Sequence, residues 1–255
     1  MQKVLVTGAT GRTGLLVVNK LREYPTEFKV VGLARNEAKV KEIWGSTEDF
    51  YFGTIKDKTA IEKAISGCNA LVILTSAVPQ IKGAPEPGER PEFYYADGES
   101  PEEIDYYGQI NQIDAAKAAK INHIVLVGSM GGTNENHPLN SIGNGKILIW
   151  KRKAEQYLID SGIDYTIIRA GGLLNEPGGK RELLVGKNDE LLNNPPDGIR
   201  PAIPREDVAE LVVRALQINE AKNKAFDTIS KPPSENGENV KIDFVKLFEQ
   251  TTAGL

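Results

Sequence analysis

Short apolar segments alternate with longer helical patterns along most of the chain, and this alternation restricts the possible folds more than any other feature. The apolar segments are rich in Val and Ile, and their apolar residues follow one another directly, as in strands covered on both faces. Strands are predicted at residues 3–7, 29–33, 70–74, 123–127, 165–168 and 225–229, with a weaker one at 49–52. Helices are predicted between them, at residues 11–23, 37–44, 57–66, 104–119, 146–161 and 205–217. The alternation predicts an α/β fold with a doubly wound, mostly parallel sheet.

The chain of 255 residues contains no internal repeat and no linker that would divide it, so we predict a single domain over residues 1–255. Two segments interrupt the alternation: 79–101, with five prolines, and 171–204, which contains Gly178-Gly179 and Pro195-Pro196. Both follow the carboxyl ends of strands, where ligands bind in open α/β sheets. Loops this long are often lids or binding loops. We therefore expect two loop insertions on the substrate side, although simple surface insertions would leave the same pattern.

A glycine-rich loop joins the first predicted strand to the first predicted helix. Residues 7–14 read Thr-Gly-Ala-Thr-Gly-Arg-Thr-Gly, and an apolar run at 15–18 follows directly. Glycines permit a tight turn and let the backbone approach a pyrophosphate, whose charge the helix N-terminus stabilises. The loop therefore predicts a Rossmann-type dinucleotide site rather than a turn without a ligand. Its cofactor-binding residues are Gly8, Thr10, Gly11, Arg12, Thr13 and Gly14.

The end of the second predicted strand indicates which dinucleotide is bound. NAD-dependent enzymes place Asp or Glu on the ribose hydroxyls about 20 residues beyond the glycines, whereas this chain has Arg35 there. A guanidinium pairs with a 2′-phosphate and stacks on adenine, and Arg12 could reach the same phosphate from the loop. A solvated arginine at a helix start is the alternative. We predict NADP(H), with Arg35 as the residue that selects it.

Charge and composition argue against several other classes of function. The net charge is −4 and the only basic block is Lys151-Arg152-Lys153, so nucleic acid and anionic membrane are poor partners. The single cysteine and the two histidines have no spaced metal-ligand partner, so no metal site is expected. With a strand beginning at residue 3 and no long apolar segment, we expect a cytoplasmic protein, or a plastid stromal one after processing.

Residues 7–14 together with Arg35 resemble the short-chain dehydrogenase/reductase superfamily, in its atypical branch of NmrA-like and flavin-reductase-like NAD(P)-binding proteins. Further matching motifs lie at residues 74–77, 111–116, 123–129, 153–155, 168–171 and 204–209. Residues 128–132, 150–157 and 169–174 look closer still to a plant and cyanobacterial group of NADP-binding proteins. The resemblance covers nearly the whole chain and implies binding of NADP(H) and of a small-molecule substrate.

The resemblance also implies roles for individual residues. Lys153 is similar to the lysine that holds the nicotinamide ribose, and Ser129 to the serine that bonds a substrate carbonyl, so both are catalytic candidates. A solvated lysine and a turn serine are the alternatives. The strand ends that would lie along the cofactor or beside its nicotinamide are Leu74, Thr75, Ser76, Ala77, Ala170 and Gly171.

One departure from the family pattern decides the expected mechanism. The family's catalytic tyrosine lies four residues before its lysine, and the residue four before Lys153 is Ile149. Isoleucine donates no proton, and Tyr157 lies four residues after the lysine instead. Tyrosines in or near the first insertion could supply a phenol, although we predict that they pack instead: Tyr94, Tyr95, Tyr106 and Tyr107.

Two functions remain compatible with these features. The first is an NADPH-dependent reductase for a conjugated acceptor, such as a flavin or quinone, that takes its proton from solvent. The second is a non-catalytic NADP(H) sensor or scaffold that a partner recognises. The long loops favour the reductase and the missing tyrosine favours the sensor; we prefer the reductase.

Overall fold

The computed structural model describes residues 1–83, 91–233, 236 and 238–255. Its strands are β1 (Gln2–Thr7), β2 (Phe28–Ala34), β3 (Phe50–Phe52), β4 (Ala70–Ile73), β5 (Gln80–Ile81), β6 (Phe93–Tyr94), β7 (His123–Ser129), β8 (Asp164–Ala170), β9 (Gly172–Leu174), β10 (Leu183–Gly186), β11 (Ala202–Pro204) and β12 (Lys224–Ser230). Its helices are α1 (Arg12–Arg22), α2 (Glu37–Trp44), α3 (Lys58–Ile65), α4 (Gly108–Ala118), α5 (Pro138–Ser141), α6 (Ile147–Asp160), α7 (Glu190–Asn193), α8 (Arg205–Gln217) and α9 (Phe244–Glu249). A π-helical segment, Glu102–Tyr107, runs directly into α4. Across these residues no helix combines the length and the apolarity that crossing a bilayer requires.

Within the described residues, eight strands form one sheet in the order β10-β12-β8-β7-β4-β1-β2-β3. Neighbours run parallel except for β10, which is antiparallel to β12 at the edge. Strand β1 pairs with β2 on one side and with β4 on the other, so the winding direction reverses there. Ligands of open α/β sheets bind at such a reversal, in the crevice beyond the carboxyl ends of the strands. The predicted doubly wound, mostly parallel Rossmann-type fold is confirmed, with all seven predicted strands present.

Consecutive apolar residues of each strand serve two cores, one on each face of the sheet. In β1, Val4 and Val6 pack on the face that carries α1 and α8, whereas Leu5 packs on the face that carries α3 and α4. All three have no exposed surface. Helices on both faces explain why the strand segments are continuously apolar instead of alternating with polar residues.

The two insertions differ in structure. Segment 171–204 is ordered into short elements: β9 and β11 pair with each other, and β10 extends the central sheet. The sequence did not predict these strands, because each is short and is defined by a partner far away in the chain. In segment 79–101, β5 and β6 pair antiparallel. Residues 84–90 lie outside the described residues, so the expectation of a lid there stays a prediction.

Candidate functional site

The loop after β1 has a backbone that requires glycine at two positions. Gly8 has φ +71°, and a Cβ there would lie 2.8 Å from the carbonyl oxygen of Leu74. A Cβ on Gly14 would overlap with the carbonyl oxygen of Gly8. The loop is therefore held tightly between α1 and the end of β4, and it turns its backbone towards the crevice.

The N-terminus of α1 is suited to an anion. Its N-cap, Gly11, offers no side-chain acceptor, and the first turn contains no acidic residue. The first N–H groups of a helix lack intrahelical partners and carry partial positive charge, so they stabilise a phosphate. Thr13, in this turn, lines a cavity. This set of donors fits the diphosphate of a dinucleotide.

A cavity of 360 Å³ extends from the glycine loop to the end of β2, and we call it the β2 cavity. Gly8, Thr10 and Gly11 line one part of it, and the cationic residues Arg35 and Lys39 also line it. Arg35 thus stands beside the loop, as the sequence predicts. Lys39 was not predicted, although its position four residues after Arg35, at the start of α2, is a signal for it.

The guanidinium of Arg35 is already paired in this structure. Its Nη1 lies 2.7 Å from Oε2 of Glu99, and Oε1 of Glu99 lies 3.6 Å from Nζ of Lys56. Glu99 itself lines the β2 cavity. Glu99 belongs to no motif and is 64 residues from Arg35, so the sequence carries no signal for this pair.

Arg205, the first residue of α8, lines a cavity at the other end of the crevice. The pKa of Arg205 is lowered first by burial and then by the charge of Arg12. Nη1 of Arg205 donates hydrogen bonds to the carbonyl oxygen of Leu173 and to Oδ1 of Asn175, at 3.1 and 2.5 Å. The expectation that Arg12 and Arg35 meet on one phosphate stays a prediction.

A second cavity, of 330 Å³, lies beyond the end of β7, and we call it the β7 cavity. Ser129 at the end of β7, Lys151 of α6, and Ala170 and Gly171 at the end of β8 line it together with Thr13. Parallel strands bring these residues together, because their carboxyl ends meet at one edge of the sheet. The hydroxyl of Ser129 donates to the carbonyl oxygen of Met130 at 3.0 Å.

The end of β4 separates the two cavities. Leu74, Thr75 and Ser76 line both of them. Ala77 does not reach either lining: it is buried, and its N–H donates to Oδ2 of Asp105 at 2.9 Å. The predicted β4 segment is thus placed along the crevice for its first three residues, whereas Ala77 anchors the segment behind them.

The lysine that lines the β7 cavity is Lys151, whereas Lys153 lies outside that lining, so the expected role of Lys153 stays a prediction. Lys153 is exposed, and its Nζ lies 4.3 Å from the ring centroid of Trp150. Two residues span about 200° of an α-helix, so the two lysines point in nearly opposite directions. Lys151 lies three residues from both Leu148 and Ala154, which are buried. Lys151 therefore lies on the buried side of α6, and Lys153 lies on the exposed side.

A buried carboxylate holds Lys151. Oδ1 of Asp105 lies 2.7 Å from Nζ of Lys151, with side-chain exposures of 0% and 11%. Asp105 belongs to the π-helical segment, and segments of this kind often occur at functional sites. The residue four before Lys151 is Ile147, so the catalytic tyrosine is missing for this lysine as well.

Among the described residues that line the two cavities, there is none of the four tyrosines of the first insertion and its flank. The hydroxyl of Tyr94 donates to Gln80 at 2.7 Å. Tyr106 packs against Tyr107 and Trp150. Burial raises the pKa of Tyr95, and the charge of Asp105 raises it further.

A buried ionic cluster supports the strand ends behind the β7 cavity. Nε of Arg169 donates to Oε2 of Glu155 at 2.8 Å, and Nη1 lies 3.7 Å from Asp227. Burial raises the pKa of Asp227, while Arg169 opposes the rise. Arg169 is 2% exposed. The arginine of the motif at 168–171 therefore joins β8 to α6 and β12 and does not enter the cavity.

Comparisons with known proteins agree with this geometry. A model of a family described as NAD(P)H-binding matches residues 8–219. A chloroplastic protein of Arabidopsis thaliana with no assigned function is 58% identical over 251 residues, which cover 98% of this chain and 75% of that protein. Sanguinarine reductase of Eschscholzia californica is 51% identical over 268 residues, which cover 98% of this chain and 96% of that protein.

Solved structures share the fold at low sequence identity. A short-chain dehydrogenase/reductase of Veillonella parvula in complex with NADP superimposes with a TM-score of 0.63 at 16% identity, covering 94% of this chain and 99% of that one. The anaerobillin reductase ChuY of Escherichia coli O157:H7 gives 0.64 at 18% identity, with coverages of 91% and 100%. With its Rossmann-type sheet, its glycine loop and a family match along most of its length, the chain belongs to the NAD(P)H-binding oxidoreductases of the atypical short-chain dehydrogenase/reductase branch.

Proposed function

We propose that this protein is an NADP(H)-dependent oxidoreductase that reduces a conjugated small-molecule acceptor without a tyrosine acid. The observation that carries the proposal is the β7 cavity, where Ser129 and Lys151 meet Thr13 of the cofactor loop. NADPH supplies the hydride when it is bound. The 51% identical relative is named as a reductase, which favours turnover over a purely binding role.

The residues of the chain bind and orient the reactants in this proposal. Arg35 and Lys39 hold the 2′-phosphate, and this choice of NADP over NAD rests on their charge at the end of β2. Lys151 takes the role that the motif match gave to Lys153, and Asp105 keeps its ammonium group in one position. Ser129 rotates its hydroxyl from Met130 to a substrate oxygen.

The missing phenol selects the acceptor. Neither Ile147 nor Ile149 donates a proton, so the reduced acceptor takes its proton from solvent. A quinone or flavin tolerates this, because its negative charge is delocalised. A simple ketone loses a general acid, which typically contributes about 10²–10⁴-fold to the rate.

Steady-state oxidation of NADPH in the presence of quinones, flavins, aldehydes and ketones tests the proposal. Turnover of at least one quinone or flavin is the expected result. The missing tyrosine also supports a second candidate function, a non-catalytic NADP(H) sensor. Tight NADP binding with no turnover of any acceptor would favour that sensor.

We infer the plastid as the compartment, which was the second of the two expectations. The 58% identical relative is chloroplastic, and so is TIC 62 of Pisum sativum, which is 36% identical over 184 residues. These relatives give no support to the cytoplasm. Immunoblots of plastid and cytosolic fractions test the inference, and a signal confined to the cytosol would overturn it.

A further inference from the structure

Arg35, the residue that we propose for selecting the 2′-phosphate, already carries an anionic partner from another part of the chain. Oε2 of Glu99 lies 2.7 Å from its Nη1. Glu99 lines the β2 cavity with Arg35, Gly8 and Thr10, so this carboxylate stands within the site and not on a remote surface. Any phosphate that pairs with Arg35 meets the charge of Glu99.

Glu99 is held more firmly than Arg35. Its Oε1 lies 3.6 Å from Nζ of Lys56, and the same Nζ donates to the carbonyl oxygen of Gly98 at 2.6 Å. On its other side, Ser100 and Glu103 bond each other at the start of the π-helical segment. The side chain of Arg35 is 68% exposed, against 35% for Glu99. A ligand can therefore draw Arg35 away while Glu99 stays beside the cavity.

The two cofactors respond to a carboxylate in opposite ways. A 2′-phosphate carries close to two negative charges at neutral pH and is repelled by a nearby carboxylate. A free ribose 2′-hydroxyl donates a hydrogen bond, and NAD-dependent enzymes use an acid for this purpose. A carboxylate beside Arg35 therefore weakens the binding of NADP(H) and does not weaken the binding of NAD(H).

We propose that Glu99 is a specificity-determining residue that competes with the 2′-phosphate for Arg35 and narrows the preference for NADP(H) over NAD(H). The inference rests on the proposed NADP(H) site but not on turnover. In a simpler role, Glu99 only ties the insertion 79–101 to the end of β2. That role predicts that removing the carboxylate changes the affinities for the two cofactors equally. Exposed ion pairs also contribute little to stability, so removing the pair leaves the fold intact.

Calorimetric titration of the Glu99→Gln variant with NADP⁺, NAD⁺, 2′,5′-ADP and 5′-AMP tests the proposal. The two ligands with a 2′-phosphate should bind about two- to fivefold more tightly than to the parent protein, a size typical of exposed charge pairs. NAD⁺ and 5′-AMP should bind equally well or less tightly. The gain should shrink as ionic strength rises, since salt screens exposed charges. Equal changes for all four ligands, or weaker NADP⁺ binding, would overturn the proposal.

Glu92→Gln is the matched control. Glu92 lies in the same insertion and pairs with Lys82 at 3.2 Å, at 70% side-chain exposure, and it is not part of the β2 cavity lining. Its affinities for all four ligands should equal those of the parent. The outcomes separate the two proposals. NADP⁺ binding without turnover of any acceptor contradicts the proposed oxidoreductase activity and leaves the proposed role of Glu99 unaffected. Turnover with NADPH but unchanged affinities in Glu99→Gln contradicts the role of Glu99 alone.

Discussion

The two cavities of the crevice hold their cationic side chains in different ways. In the β2 cavity, Arg35 and Glu99 form an ion pair that water reaches from both sides. In the β7 cavity, Lys151 is nearly buried, and its partner Asp105 is completely buried. An exposed ion pair contributes about 0–1 kcal/mol, whereas removing one partner of a buried pair costs about 3–5 kcal/mol.

In the proposed function, this difference gives the two cavities different tasks. A cation in an exposed pair exchanges its partner easily, so Arg35 can pass from Glu99 to an incoming phosphate. Lys151 keeps its partner, and its ammonium group is positioned before any ligand arrives. We therefore expect substitutions in the β2 cavity to change cofactor choice alone. Substitutions in the β7 cavity should change stability and chemistry together.

The largest expected effect concerns the missing acid of the β7 cavity. The parent protein should turn over simple ketones at least about 10²-fold more slowly than quinones, because it lacks a general acid. Ile147→Tyr should raise kcat/KM for ketones, since residue 147 lies one turn before Lys151 on the same helix face. Ile149→Tyr points elsewhere and is the control. Efficient ketone turnover by the parent would mean that another group acts as the acid.

The next effect is on folding, and it compares the two lysines of α6. Lys151→Met leaves the buried Asp105 without its partner and should lower the free energy of unfolding by about 3–5 kcal/mol. Lys153→Met removes an exposed charge and should change it by less than about 0.5 kcal/mol. Urea unfolding followed by circular dichroism measures both. Similar values for the two variants would show that the Lys151–Asp105 pair is not a structural unit.

A smaller effect is expected in the β2 cavity. Arg35→Ala should weaken NADP⁺ binding by about 1.5 kcal/mol, the lower end for a charge-assisted contact, because Arg35 must first leave Glu99. NAD⁺ affinity should hardly change. Lys41→Ala, an exposed residue of α2 outside the cavity lining, is the control. Calorimetry with both cofactors measures this, and equal affinities of the parent for NADP⁺ and NAD⁺ would contradict the proposed selection.

The smallest effect is expected for Lys153 itself. Lys153→Ala should alter NADP⁺ affinity and kcat/KM by less than about threefold, because surface substitutions away from a site stay within about 0.5 kcal/mol. Lys151→Ala should reduce kcat/KM strongly under conditions where it remains folded. A strong loss in Lys153→Ala would restore the role that the family motif suggests for it and would contradict the assignment to Lys151.

The sequence by itself determined the order of the seven main strands and of the six longer helices between them, and the place of the cofactor loop. Both are local properties: apolar runs and helical periods can be read over 5 to 15 residues, and the glycines of residues 7–14 are needed by the turn that contains them. The prediction that Arg35 stands beside this loop also followed from local order, because β2 is the neighbour of β1 in the sheet.

Only the tertiary structure decided which charged groups meet. The choice between Lys151 and Lys153 depends on how α6 is rotated, and the buried Leu158 helps to set that rotation by packing in the core on one face of the sheet. Asp105, the partner of Lys151, is 46 residues away from it in the chain. Glu99, the partner of Arg35, is 64 residues away from it. No local pattern encodes such a distance, because it arises when the crossover connections bring separate strand ends to one edge of the sheet.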